Sequence, residues 1–400
     1  MKPAAGHDLP KTPKQALWAL ALSMFTVGTG SLIVLGIGQE VTEAFNLPSG
    51  AAGWLMTVFA GVFAVAAPLA QLVLAKRFSQ LKLVGLGLLL LAAGMLWASL
   101  ATSYSSLLAA RTVMALGGAL IAPASAAFAV QLSLPKHRTQ ALATVFAGFT
   151  LASVAGVPLG TWLGVAFGWR GTMLAIACLA VIALAIVIAC FRTLQQGRAP
   201  DEESKTPLQR SARNNALAIL ATTAGVLSAQ FAIYAVMAAF LLEGFGLTSN
   251  ALPVVMLFFG IAGVAGNAVS GVWADRAGIE AVIWLSLAGL AVMTAALLAD
   301  LGPAFASILV AGCAFCGTLF TAPQQARLTM VVPARYHGLA LALNSSASYI
   351  GITIGSATAS LLYAAFGVGS LPAGALALLA MSAVLNLAAS SKARPADTPG

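Results

Sequence analysis

The side chains that could do chemistry in this chain are mostly uncharged hydrogen-bonding groups within long apolar stretches. Gln230 and Tyr234 stand four residues apart, as do Asn344 and Ser348. In a helix, residues four apart lie on one face. Such groups either fix a ligand in a largely apolar cavity or hydrogen-bond to a neighbouring helix. The sequence predicts a ligand site from this set: Thr29, Gln230, Tyr234, Asn267, Asn344, Ser348 and Tyr349.

Two ionisable residues are candidates for moving a proton, because charges in apolar surroundings are rare and usually functional. Arg111 is the charge that lies clearly inside an apolar stretch. It could be a proton-relay partner or an anchor for an anionic group, or its side chain could extend to lipid headgroups. Glu40 follows the first apolar stretch. It could carry a proton, or it could be a solvated loop acid.

Catalytic constellations are not found in the sequence. The histidines His7, His137 and His337 all fall in polar segments, and no Walker loop, Rossmann glycine pattern or metal-ligand cluster is present. Cys313 and Cys316 form a C-x-x-C pair inside an apolar run, without a second pair or a histidine. Small apolar packing is the expected role of these thiols. The chain is therefore not expected to be an enzyme, and no cofactor or metal is expected.

The elements that must position these residues are membrane-spanning helices. The chain is 60% hydrophobic and 8% charged, with a mean hydropathy of +0.95, whereas soluble domains carry about 25% charged residues. A bilayer core needs about 20 apolar residues per helix. Twelve segments meet this length: 16–38, 51–75, 83–101, 105–132, 140–165, 169–191, 215–242, 251–274, 280–299, 303–325, 338–366 and 370–389.

The distribution of charge predicts the orientation. With the N-terminus in the cytoplasm, 18 of the 20 Lys and Arg residues fall in cytoplasmic segments, Arg327 among them, and the exceptions are Arg111 and Arg170. The opposite side carries the acids Glu40, Glu43, Glu243 and Asp300. This positive-inside pattern places both termini in the cytoplasm. It also explains the net charge of +9 without a nucleic-acid partner.

A polar, charged stretch at 192–214 divides the chain into two sets of six spans. The predicted organisation is a cytoplasmic tail (1–15), a six-helix bundle (16–191), a cytoplasmic linker (192–214), a second six-helix bundle (215–389) and a cytoplasmic tail (390–400). The halves resemble each other weakly: GVPLG at 156–160 is echoed by GITIG at 351–355. A six-span repeat is typical of transporters whose two bundles rock about a shared site.

The segment GVPLGTWLG at 156–164 carries helix-breaking residues inside an apolar run. Gly156, Gly160 and Gly164 share one helix face, which could press against a neighbouring helix. Pro158 can bend the helix at that point. The segment is interpreted either as a hinge or seal between the halves, centred on Gly156, Pro158 and Gly160, or as ordinary tight packing.

Three stretches resemble the major facilitator superfamily, and the resemblance covers essentially the whole chain. GVWADRAG at 271–278 resembles its loop motif through Gly271, Asp275 and Arg276, and RTVMALGGALIAPA at 111–124 resembles its span-4 motif. GFTLASVAGVPLGTWLGVAFGWR at 148–170 resembles its span-5 antiporter motif. The nearest group is that of the drug:proton antiporters, with arabinose-efflux-permease-like members.

The resemblance implies an all-α membrane protein of twelve transmembrane helices in two pseudo-symmetric bundles. It further implies a cytoplasmic gate at Gly271, Asp275 and Arg276, although a solvated loop that only sets topology is the alternative. Gly30 stands where related exporters often carry an acid after Gly-Thr.

The expected function is proton-coupled efflux of a small molecule by alternating access. The substrate would be a drug-like amphipathic compound, a sugar or a nucleoside, and the proton gradient would supply the energy. The alternatives are an importer of a sugar, nucleoside or other small metabolite, and a non-transporting membrane receptor or scaffold. The expected location is the bacterial inner membrane, where the protein would be a monomer surrounded by lipid.

Overall fold

The regular structure in the described part of the chain is entirely helical, which confirms the predicted all-α class. The structure is a computed structural model, and it describes residues 14–48, 50–74, 77–133, 138–191, 210–299, 302–333 and 337–390. The first half contains α1 (Lys14–Leu32), α2 (Val34–Ala44), α3 (Ala51–Leu69), α4 (Gln80–Ser99), α5 (Tyr104–Gln131), α6 (Arg138–Leu151) and α7 (Val157–Phe191). The second half contains α8 (Arg210–Tyr234), α9 (Met237–Phe245), α10 (Leu252–Ala277), α11 (Ile279–Ala296), α12 (Gly302–Leu319), α13 (Thr321–Val331), α14 (His337–Phe366) and α15 (Leu371–Ser390).

The described residues contain 10 helices long and apolar enough to cross a membrane, or 11 when the bent pair α1–α2 is counted as one span. One of the ten is a 47-residue stretch, Thr144–Cys190, which would be about 70 Å long as a straight helix. That is more than twice the thickness of the bilayer core, about 30 Å. Gly168 interrupts this stretch with φ 72° and ψ 165°. Dividing the stretch at Gly168 separates the predicted fifth and sixth spans.

Two hydrophobic cores underlie the two halves. The first core draws its buried side chains from residues 16–187 and the second largely from residues 226–379. Leu35, Met56 and Val157 of the first half pack into the second core. The halves therefore form two bundles that meet along one interface, where α3 contacts α14 and where α10 contacts α7.

The first helix of each bundle is broken at a similar level. α1 and α2 meet at Ile33 with a bend of 42°, and α8 and α9 are separated by Ala235 and Val236. In both cases the longer piece comes first. Interrupted helices at corresponding positions of two repeats commonly mark the binding site of a transporter.

Glycines allow the span-5 backbone to lie directly against the first helix of its own bundle. A Cβ added at Gly156 would lie 2.1 Å from Thr29 Oγ1, and one added at Gly160 would lie 2.2 Å from Ile33 Cδ1. This glycine face therefore packs within one bundle. The interpretation of the segment as a hinge or seal between the halves stays a prediction. Pro158, which cannot donate a backbone hydrogen bond, follows a π-helical turn at Ala152–Gly156.

The second bundle repeats this packing. A Cβ added at Gly351 would lie 2.3 Å from the carbonyl oxygen of Ala224, and one at Gly355 would lie 2.3 Å from that of Ser228. The echo between GVPLG and GITIG is thus a shared structural role. Each segment packs its glycines against the first helix of its own bundle.

Two predicted boundaries differ from the structure. α8 begins at Arg210, so the last residues assigned to the linker are helical. α13 extends the tenth span to Val331, and Arg327 is only 3% exposed. The sequence analysis placed Arg327 in a cytoplasmic segment, but the structure shows that it is a buried residue of a helix. The predicted span ended at residue 325 because a charged residue lowers the local hydropathy, even when a partner in the fold compensates its charge.

Candidate functional site

Gln230 and Tyr234 lie together in the last turns of α8, directly before the break. Both side chains are buried, and neither Gln230 Nε2 nor the Tyr234 hydroxyl has a hydrogen-bond partner among the described residues. The Gln230 amide lies over Gly317, where an added Cβ would be 2.7 Å from Cδ. The Tyr234 ring meets Phe259 edge to face, with centroids 4.9 Å apart. Buried polar groups without partners are uncommon and require an explanation.

Thr29 occupies the corresponding position in the first bundle. It lies in the last turn of α1, and Ile33, at the break, donates its backbone N–H to the Thr29 carbonyl at 2.9 Å. The Thr29 side chain is buried against Gly156, and Oγ1 has no partner among the described residues. Each broken helix therefore carries an unused polar atom just before its break.

The remaining predicted ligand residues do not join this group. Asn344 Oδ1 accepts a hydrogen bond from Thr223 Oγ1 at 2.9 Å within the second bundle, and Ser348 Oγ donates to the Asn344 carbonyl at 3.0 Å. The Tyr349 ring stacks on Phe63 across the bundle interface, with centroids 3.8 Å apart.

The seventh predicted ligand residue, Asn267 on α10, has an exposed side chain. The structure thus pairs Gln230 with Tyr234 and Asn344 with Ser348, but it does not gather all seven residues into one cluster.

Arg111 is fully buried and clasps the break in the first helix. Its Nη1 donates to the Gly30 carbonyl at 2.8 Å and its Nη2 to the Ser31 carbonyl at 3.2 Å. Its Nε donates to the Leu55 carbonyl at 3.1 Å, and the guanidinium lies 4.7 Å from the centre of the Phe59 ring. The side chain therefore does not extend to lipid headgroups. It donates hydrogen bonds to two carbonyls at the end of α1, where the hydrogen bonds within the helix are interrupted.

Glu40 lies on α2 and is partly buried. Its carboxylate faces Gly164, where an added Cβ would be 2.8 Å from Oε1, and it accepts a backbone hydrogen bond from Trp169. The Arg170 guanidinium lies 4.2 Å from the Trp169 ring and donates to the Ala101 carbonyl at 2.9 Å. Glu40 thus lies where α2 packs against the end of the fifth span and the turn that follows it.

The two ends of the bundle pair differ in charge. We call the end with Glu40, Glu43 and Glu243 the acidic end, and the end with Lys82 and Arg276 the basic end.

Contacts close the interface toward the acidic end. Gln39 Nε2 donates to Glu243 Oε1 of the other bundle at 2.7 Å, and the Tyr363 hydroxyl donates to Glu243 Oε2. One step further in, the Thr57 and Ser356 hydroxyls are 2.8 Å apart. The Gln39–Glu243 and Thr57–Ser356 bonds cross between the bundles, whereas Tyr363 and Glu243 belong to the same bundle. The sequence analysis selected none of these residues for a site.

The predicted gate residues at the basic end lie in a more open environment. Asp275 and Arg276, in the last turn of α10, are exposed, and their side chains make no hydrogen bond or ion pair with another described residue. A Cβ added at Gly271 would meet nothing within 4 Å. Gly278 ends α10 with φ 90°, a conformation that favours glycine. Within the described ranges, the side chains of the predicted gate residues make no hydrogen bond or ion pair between the bundles.

Arg327 is a second buried arginine, which the sequence analysis placed in a loop. Its Nε lies 2.9 Å from Glu280 Oε1, and its Nη1 donates to Asn386 Oδ1 at 2.6 Å. The cluster joins α11, α13 and α15 at the basic end. In the sequence, Glu280, which comes just after the loop motif at 271–278, was the one available sign that an arginine could be paired at this end.

Comparisons with known proteins agree with this architecture. The family model described as Major Facilitator Superfamily matches residues 19–315 and, separately, residues 219–399. YbcL of Bacillus subtilis, described as an uncharacterized MFS-type transporter, is 29% identical over 348 residues, which cover 85% of this chain and 86% of YbcL. The inner membrane transport protein YdhP of Escherichia coli is 30% identical over 262 residues, covering 65% of this chain and 66% of YdhP.

A third relative, from Mannheimia succiniciproducens, is named "Probable sugar efflux transporter". It is 27% identical over 279 residues, covering 70% of this chain and 68% of that protein. Among solved structures, the peptide transporter POT in complex with sulfate superposes with a TM-score of 0.76 at 13% identity, covering 97% and 96% of the two chains. A bacterial homolog of the human lysosomal transporter Spinster, in an inward-facing and unoccupied conformation, gives a TM-score of 0.69 at 18% identity and covers 96% and 98%. At these identities the structures support the fold.

Proposed function

The chain belongs to the major facilitator superfamily, and from that premise we propose that it exports a small, neutral, hydrogen-bonding molecule in exchange for protons. The observation that carries the proposal is the pair of broken helices with an unused polar atom before each break. Thr29 Oγ1 stands before the break in the first bundle, and Gln230 Nε2 and the Tyr234 hydroxyl stand before the break in the second. A substrate with hydroxyl or amide groups would supply the missing partners.

The available groups favour a neutral substrate. Gln230 Nε2 is a donor, and the Thr29 and Tyr234 hydroxyls can donate and accept. The guanidinium of Arg111 already donates to three carbonyls, so it is not available as an anchor for an anionic substrate. Apolar rings, such as that of Phe259, supply the remaining surface. This composition suits a sugar or another polyhydroxylated compound, and one relative is named a sugar efflux transporter.

Alternating access would use the interface between the two bundles. In the structure the bundles meet at the acidic end, where Gln39 bonds to Glu243, while Asp275 and Arg276 at the basic end are exposed. By the positive-inside rule the basic end faces the cytoplasm. The structure would then correspond to the state that loads substrate from the cytoplasm of a bacterial cell. Rocking of the bundles would open the acidic end for release.

Glu40 is the proposed proton carrier. Its carboxyl group is partly buried, and the preceding residue, Gln39, bonds across the bundle interface. A carboxyl group in such a place can bind a proton in one state and release it in the other. Its position on α2 links it to the break at Ile33, and hence to Arg111. Gly30 stands where related exporters often carry an acid after Gly-Thr, and Glu40 is the described carboxyl group nearest to the helix break along the chain.

An accumulation assay tests this function. The protein is expressed in a bacterial host without its main efflux pumps, and uptake of labelled sugars, nucleosides and dyes is followed with and without a protonophore. We expect lower accumulation of a neutral hydroxylated compound, and we expect the protonophore to abolish this effect. The variant Gln230→Leu, which removes one unused donor without adding charge, should abolish the effect in intact protein.

Three other outcomes would contradict the proposal in different ways. Raised accumulation would identify an importer. Efflux that persists after the protonophore would exclude proton coupling. Saturable binding to purified protein without flux in proteoliposomes would identify a receptor.

A further inference from the structure

The helix ends at the acidic end repeat each other closely in sequence. Residues 43–49 read EAFNLPS and residues 243–249 read EGFGLTS. Glutamate, phenylalanine, leucine and serine therefore recur at an offset of 200 residues. The offset pairs Glu43 with Glu243. It also pairs Gln39 with an alanine, Ala239.

The two segments also fold alike. Each ends the short second piece of a broken helix, and each has a residue with positive φ after the helix, Asn46 at 50° and Gly246 at 69°. The N–H of Leu47 returns to the Thr42 carbonyl at 2.9 Å, and that of Leu247 returns to the Leu241 carbonyl at 3.0 Å. Such turns satisfy the last helix carbonyls. Glu43 and Glu243 thus occupy equivalent positions in the two bundles.

One amide group joins these equivalent acids across the interface. Gln39 Nε2 donates to Glu243 Oε1 at 2.7 Å and to Glu43 Oε1 at 3.2 Å. Ionised carboxylates only accept hydrogen bonds, so the amide must present its nitrogen to both. The buried Tyr363 hydroxyl donates to the other oxygen of Glu243. In the described part of the chain no Lys or Arg is within ion-pair distance of either acid.

We propose that Gln39 is the latch that holds the acidic end closed, by bridging the pseudo-symmetric acids Glu43 and Glu243 of the two bundles. Tyr363 orients Glu243 toward the bridge. Because position 239 is alanine, the second bundle offers no equivalent donor, and the link between the two acids depends on one side chain. When the bridge breaks, two like charges face each other and favour separation of the bundles. The role as a gate rests on the alternating access proposed above.

The test measures the gate directly, by the distance between spin labels on the two bundles. Labels are attached at Ala44→Cys and Thr248→Cys, both exposed positions at the acidic end, after the four native cysteines are replaced by alanine. Distances are measured by pulsed electron resonance in lipid nanodiscs. This readout needs neither substrate nor flux, so the latch can fail or stand independently of the proposed transport function.

Gln39→Glu places a third carboxylate at the bridge with almost no change in shape. We expect the fraction of molecules with long distances to rise about fivefold, the size of effect typical of a partly exposed charged contact. Gln39→Leu removes the donor without adding charge and should raise the same fraction less. Adding Glu243→Gln to Gln39→Glu restores a donor between the bundles and should return the distribution toward the short distance.

Controls separate a gate effect from a folding effect. Gln131→Glu, an exposed glutamine at the basic end, makes the same chemical change away from the bridge and should leave the distances unaltered. Each variant is required to elute as a monodisperse species. Unchanged distances in both Gln39→Glu and Gln39→Leu would overturn the proposal. So would an equal change in Gln131→Glu.

Discussion

Arg111 offers the sharpest test of how the first helix is held in its broken form. Its guanidinium donates to the carbonyls of Gly30, Ser31 and Leu55 in the buried interior of the first bundle. Gly30 and Ser31 precede the break, where their ordinary partners in a continuous helix would be the N–H groups four residues on. The arginine therefore stabilises the break rather than neutralising another charge.

The substitution Arg111→Lys keeps the charge but removes the fork of donors. We expect the single ammonium nitrogen to retain one of the three bonds, so two are lost. A hydrogen bond that involves a charged group contributes about 1.5–3 kcal/mol, which makes the expected loss roughly 3–6 kcal/mol. Since domains are stable by only about 5–15 kcal/mol, this loss is a large share of the total. For a bundle of this size, at about 2–4 °C per kcal/mol, it corresponds to a fall in Tm of about 6–24 °C.

The substitution Arg111→Met should behave differently. It removes the bonds, but it also removes the cost of burying a charge. Without the guanidinium, the carbonyls of Gly30 and Ser31 can accept N–H groups from the following residues, and the first helix can straighten. We expect Arg111→Met to be more stable than Arg111→Lys and to be inactive in transport, because the break is lost.

Thermal unfolding in detergent and flux in proteoliposomes measure both quantities on the same preparations. A lysine variant with wild-type Tm and flux, altered only in its pH profile, would refute the clasp and identify Arg111 as a proton-relay residue. A methionine variant with wild-type flux would show that transport does not need the break.

Three further predictions follow from the same contacts. Gly156→Leu should abolish flux while membrane insertion persists, because even a Cβ at that position meets the Thr29 hydroxyl. The control Gly85→Ala, whose added Cβ has its nearest contact at 3.8 Å, should retain flux. Normal flux in Gly156→Leu would exclude a hinge. Gln230→Leu should raise Tm by a few degrees and abolish substrate binding, since it removes an unpartnered buried amide. Calorimetry and a binding assay on one sample measure both effects, and a lower Tm with binding retained would contradict this prediction. Glu40→Gln should retain binding and lose the dependence of flux on the proton gradient, and an unchanged pH profile of flux would rule out coupling at this residue.

Several features of the site could be predicted from the residues. The polar pair Gln230 and Tyr234 follows from helical spacing alone, and the structure places both side chains on the same buried end of α8. The glycines of the fifth span were expected to press against a helix, and they do. Their partner was not predictable, because a glycine face has no side chain whose chemistry could select between the first helix and the opposite bundle.

The acidic-end latch shows a different limit. The similarity of EAFNLPS at 43–49 to EGFGLTS at 243–249 can be seen in the sequence, and it pairs Glu43 with Glu243. The sequence did not show that Gln39 joins them, because Gln39 and Glu243 are 204 residues apart along the chain. A contact over this separation depends on how the two bundles pack.

The apolar lengths and charge asymmetry of this chain are sufficient to predict helical spans, two halves and an orientation. These properties are local. The thickness of the bilayer sets the length of each span, and the positive charges of each loop set the side of the membrane on which it lies. The fates of Arg111 and Arg327 were decided only by tertiary structure. A buried charge is tolerated when distant segments bring it hydrogen-bond partners, and in each case those partners come from two other helices.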